Sequence, residues 1–198
     1  MPLNAALSLG GWENFYVIVG SSAGALTGLT FIVITIAADM PGSATARLVG
    51  LRAFTTPTAV HFGAALWIAA LMSMPGHTRL SLMLCLGATG LMGTAYCGYV
   101  ARLIVDARLG YQPVLSDWSW SLLLPLATYL LLLIAALLMR AHLSVALYTV
   151  AAVGLLLLLL GLHNAWDVVV WITTERHTRS AGTADKGGVK RSSPGDTG

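Results

Sequence analysis

The chain has 198 residues, 57% of them hydrophobic and only 10% charged; a soluble domain carries about 25% charged residues. A mean hydropathy of +0.78 excludes an ordinary soluble domain and describes an all-α, polytopic membrane bundle with no room for a second domain. The net charge is +3, but the Lys and Arg residues flank apolar stretches, as topology and anionic-lipid signals do, so the bilayer rather than nucleic acid is the implied partner.

Five apolar stretches are long enough to cross a bilayer, which takes about 20 residues. They lie near 14–38, 54–74, 79–104, 119–139 and 143–173, inside a transmembrane domain of residues 1–175. The first has no Lys or Arg before it and is long enough to span, so it is read as a mature helix and not as a signal peptide. It carries Gly20, Gly24 and Gly28 at four-residue spacing. In lipid no hydrophobic force drives helix against helix, and small residues permit close backbone approach instead. The third stretch offers a matching small face at Gly87, Gly90 and Gly93. Helices one and three are expected to touch through these faces; a hinge, a pore lining or self-association are the other uses of such glycines.

The second stretch holds Pro57 and the fourth Pro125, both expected in early turns, where a missing N–H costs least. The fourth is mostly leucine and is expected to face lipid. Cys85 and Cys97 would lie about 18 Å apart on one helix. That is too far for a disulfide, and no thiolate metal motif accompanies them.

The fifth stretch is leucine-rich until Gly161-Leu162-His163-Asn164-Ala165-Trp166-Asp167. His163 and Asp167 are four residues apart and share one wedge of the helix with Asn164. An intramembrane carboxylate must face protein or water and wants a partner. In the second stretch His61 lies roughly 12 Å inside the same end, level with His163. The candidate polar cluster is therefore His61, His163, Asn164 and Asp167. As a plain clasp it would fasten helix five to its neighbours. As a haem or metal site it would use the two imidazoles on facing helices, and as the relay of a proton-coupled transporter or channel subunit it would use His163 and Asp167 with His61. No nucleophile elbow or zinc-protease motif appears, and no catalytic residue is assigned.

From about 176 the composition turns to Arg, Lys, Ser, Gly, Thr and Asp. Residues 176–198 are expected to be a disordered basic tail held loosely against anionic headgroups. Arg79 and Arg140 fall on one side of the membrane, and the other nine basic residues on the opposite side. The positive-inside rule then places the N-terminus outside and the C-terminus in the cytoplasm.

Four stretches resemble a family of small, functionally uncharacterised bacterial multi-pass integral membrane proteins. They are Phe15 to Phe31, Thr56 to Phe62, Tyr111 to Trp118 and Gly161 to Asp167. The chain departs at Ser116, where that family would place an acidic residue beside Asp117. The resemblance implies a location in the bacterial cytoplasmic membrane and no particular activity. The residues themselves favour a non-enzymatic membrane partner or oligomeric assembly protein.

Overall fold

The computed structural model describes residues 9–38, 44–107 and 119–191. The regular elements are α1 (Glu13–Ala38), α2 (Ala44–Ser73), α3 (Arg79–Ala107), α4 (Leu124–Leu138) and α5 (Leu143–Arg191). A single 3-10 turn, Gly10–Trp12, leads into α1, and a π-helical turn, Ser119–Leu123, leads into α4. Among the described residues there is no strand. Asp39, Ser116, Asp117 and Trp118 lie outside the described residues.

Four helices are long and apolar enough to cross a membrane: α1, α2 over Thr56–Ser73, α3 over Arg79–Arg102 and α5 over Leu143–Asp167. Helix α4 has 15 residues, about 22 Å of rise against a hydrocarbon core of about 30 Å. The connections explain where helices stop. Gly76 between α2 and α3 has φ of +81°, a left-handed conformation that a residue with a Cβ resists. Thr78 and Ser81 then cap α3 reciprocally. The Ser81 N–H donates to Thr78 Oγ1 at 3.1 Å and the Thr78 N–H to Ser81 Oγ at 3.0 Å, which satisfies amides that the first turn leaves open.

Two boundaries differ from expectation. Helix α2 begins at Ala44, so Pro57 sits inside it and not in an early turn. Residues 44–53 carry Ala, Leu and Arg and no proline, with Gly50 the one poor helix former, so the helix runs past its apolar part. At the other end α5 continues to Arg191, where composition alone predicts disorder. A helix already nucleated by a long apolar span extends without a new nucleation cost, and no proline follows before Pro194.

Helices α2, α3, α4 and α5 form a closed ring. α5 packs between α2 and α4, and α4 against α3. The thinner α2–α3 seam includes a hydrogen bond from Trp67 Nε1 to Thr89 Oγ1 at 3.1 Å. Helix α1 lies outside the ring, against α2 and α5. At its first turns Trp12, Phe15 and Tyr16 cluster, and Trp12 meets Tyr148 of α5 edge-on at 4.9 Å.

Helices α1 and α3 share no packed interface, which corrects the expected pairing of their small faces. The glycines are seats for larger side chains, not for each other. Gly20 faces Ala69 of α2, where an added Cβ would lie 3.2 Å from the alanine methyl. Gly90 takes Leu133 of α4, whose backbone nitrogen would be 3.1 Å from a Cβ, and Gly93 takes the ring of Tyr129. Gly87 meets Ala136 more loosely, at 3.8 Å. Gly24 and Gly28 have open space in front of them. Helix α4 is likewise not simply lipid-facing. It buries Pro125, Thr128, Tyr129, Leu132, Ala135 and Ala136 and exposes Leu130, Ile134 and Leu137.

Gly93→Ala forces a methyl into the Tyr129 ring and is expected to cost about 1–3 kcal/mol through overpacking. Gly28→Ala, with nothing to strike, is expected to be neutral or stabilising by up to about 1 kcal/mol. Unfolding in a dodecyl sulfate titration, followed by circular dichroism, checks both; equal effects at the two sites would contradict the seating.

Candidate functional site

The two polar centres read from the sequence occupy different surroundings. His61 of α2 is 1% exposed. Its Nδ1 is hydrogen-bonded to the hydroxyl of Tyr129, across the ring on α4, at 3.2 Å. The Tyr129 ring in turn rests on Gly93 of α3. The next residue, Phe62, lays its ring on Gly161 of α5. One layer of the bundle thus holds a histidine–tyrosine bond and two aromatic rings seated on glycines, with contributions from all four ring helices. A polar group in hydrocarbon needs such a partner, because no water replaces it. Tyr129 is the partner that sequence reading misses. The signal was there: Thr128-Tyr129 is the one polar pair inside the leucine run of α4.

His163 and Asp167 come together as their spacing requires, with Nε2 3.6 Å from Oδ2. That distance is an electrostatic pairing, longer than a hydrogen bond. Their side chains are 34% and 47% exposed, so the pair sits at the bundle's surface. Asn164 is half-buried beside them. Above the imidazole lies the indole of Trp120, stacked at 4.0 Å between ring centres and 28° between planes. Trp120 stands at the start of the π-helical turn that precedes the short helix α4, and from there it reaches α5.

The Phe62–Gly161 contact keeps His61 and His163 at a similar level, since each is within two residues of that contact. Their engaged partners nonetheless differ: Tyr129 for His61, Trp120 and Asp167 for His163. No cluster of three or more His, Cys, Asp or Glu side chains occurs among the described residues. Two concavities flank this end of α5. A trough of about 630 Å³ between α4 and α5 is lined by Trp120, Leu124, three leucines of α5, Leu162, His163 and Trp166. A smaller one of about 190 Å³ lies among α1, α2 and α5, with Thr30 and Thr58 as its polar residues.

Known protein families, curated proteins and solved structures offer no match to the chain.

Interhelical hydrogen bonds in membranes contribute about 0.6 kcal/mol on average and up to about 1.7. Truncating a buried aromatic ring costs about 3–5 kcal/mol. Packing therefore outweighs the hydrogen bond at Tyr129. Tyr129→Phe is expected to lower stability by about 1 kcal/mol, and Tyr129→Ala by about 3–5 kcal/mol. Detergent unfolding curves of the two variants measure this. A phenylalanine variant as unstable as the alanine one would mean that the hydroxyl, not the ring, holds the layer.

Proposed function

We propose that the protein is a five-span component of the bacterial cytoplasmic membrane, N-terminus outside and C-terminus inside, that works by associating with another membrane protein or a second copy of itself. Support for the fifth span comes from the turn Ser119–Leu123, which continues into α4. Together they give 20 residues, about 30 Å of helix. The orientation rests on the basic residues flanking the spans, and the bacterial location on the resemblance of the four motif stretches. The Arg and Lys residues of 176–191 would lie along anionic headgroups at the cytoplasmic face.

One observation carries the association reading. Helix α1 is the least buried of the four long apolar helices, and its Gly24 and Gly28 have nothing within 4 Å. Gly90, Gly93 and Gly161 each seat a side chain of this chain, and Gly63 of α2 and Gly98 of α3 are open singly, whereas α1 places two open glycines one turn apart on one face. An open glycine weakens a helix and returns no packing. In a bilayer it is compensated by another helix that approaches closely through the small-residue face. The haem and relay readings need His61 and His163 to act on one ligand or one water chain. Tyr129 engages the first, and Trp120 with Asp167 the second.

Gly24→Leu with Gly28→Leu fills open space, so the bundle should keep its detergent stability while association falls by about tenfold or more. Bifunctional cross-linking in native membranes, read by mass spectrometry, detects the associated species. Undiminished cross-linking in this variant would remove the reading.

A further inference from the structure

The outward polar pair of α5 puts a carboxylate where the surrounding surface is apolar. Asp167 closes the apolar window Leu143–Asp167, yet Val169 and Val170 beyond it still present exposed apolar side chains. A carboxylate so placed is costly and wants a positive partner. It meets His163, whose Nε2 is 3.6 Å from Oδ2. That is longer than a hydrogen bond, and an imidazole is a cation only when protonated. The Asp167 side chain remains 47% exposed, within reach of a cation from outside the chain.

Helix geometry makes a notch there. At about 100° per residue, Trp166 and Asp167 fall on either side of the direction of His163, one turn further along α5. His163 and Trp120 are stacked on each other at 4.0 Å between ring centres, so they form a wall of the notch and leave no open face between their rings. The open π face belongs to Trp166, which is 65% exposed. From this notch the trough runs back past Leu159 to Leu156, about 15 Å of helix from Trp166.

A carboxylate beside an indole attracts a cation. One carboxylate does not make a metal site. A hard cation takes several oxygen ligands, and no group of three or more His, Cys, Asp or Glu occurs among the described residues. A primary ammonium brings three N–H donors, which the leucines and tryptophans lining the trough cannot accept. A quaternary ammonium has no donor to satisfy and binds well against indoles. An alkyl chain attached to it has the leucines to lie on.

We infer that α5 binds a single-chain quaternary ammonium amphiphile here, its head between the Asp167 carboxylate and the Trp166 indole, its chain along Leu159 and Leu156. The site is separate from the association face on α1.

Native mass spectrometry of the full chain in dodecyl maltoside, titrated with dodecyltrimethylammonium, tests it. One amphiphile per chain should bind saturably. Dodecanol, with the same chain and no charge, should not displace it. Dodecylammonium, and dodecylphosphocholine with its phosphate facing the carboxylate, should each compete about tenfold more weakly. Asp167→Asn keeps the side-chain shape without the charge and should weaken binding about tenfold or more, whereas Asp167→Glu should stay within about threefold of wild type. Trp166→Leu keeps an apolar side chain, loses the π face, and should weaken binding about fivefold. Both side chains are exposed, so neither substitution burdens the core. Gly24→Leu with Gly28→Leu should leave binding unchanged, so that this inference and the association reading fail separately. Absence of saturable binding overturns the inference. So does wild-type affinity in Asp167→Asn or Trp166→Leu, displacement by dodecanol, or competition by dodecylammonium or dodecylphosphocholine as strong as that of the quaternary amphiphile.

Discussion

Inside hydrocarbon, helices gain nothing by hiding apolar surface from water, so something other than the hydrophobic effect must hold them together. In this protein it is the seating of two aromatic rings on two glycines at one level of the bundle. Tyr129 of α4 lies on Gly93 of α3, and Phe62 of α2 lies on Gly161 of α5. Each contact is available only because the glycine lacks a Cβ. The hydrogen bond between His61 and Tyr129 crosses the same layer and joins the two pairs. Its own contribution is small beside that of the rings, but it fixes which way Tyr129 points, and it satisfies an imidazole that has no water to turn to.

That layer divides the polar residues of the spans by role. His61 is committed to the interior, bonded to Tyr129 across the ring of helices. His163 and Asp167 sit instead on the outer surface of α5 with Trp120. The interior is thereby packing, and the surfaces it leaves open are the small-residue face of α1 and the trough beside α4. Gly161 links the two roles, since it seats Phe62 inward while the residues just after it carry the outward polar pair.

The helical class and the apolar runs were plain in the sequence, because hydropathy needs no knowledge of neighbours. So was the pairing of His163 with Asp167, which helix geometry alone dictates. Which glycine meets which side chain was not. A small residue permits close approach but does not name the approaching group, and so Gly20 and Gly93 were matched with each other's helices when α2 and α4 were their partners. The uniform leucine of α4 hid its buried side for the same reason: periodicity marks a face only where composition differs between faces. The onset of α2 and the continuation of α5 depend on helix already formed next door, which local composition does not report.

A sealed interior is tested most directly by water access to Cys97, which is 2% exposed within the core. In a Cys85→Ala background, proteoliposomes would be treated with a charged maleimide on both faces and labelling followed over time. Labelling of Cys97 should be negligible until the bundle is unfolded by dodecyl sulfate, and then complete. Labelling of the folded protein at a rate approaching that of the unfolded chain would reveal a water path through the bundle, and would return function from its surface to its interior.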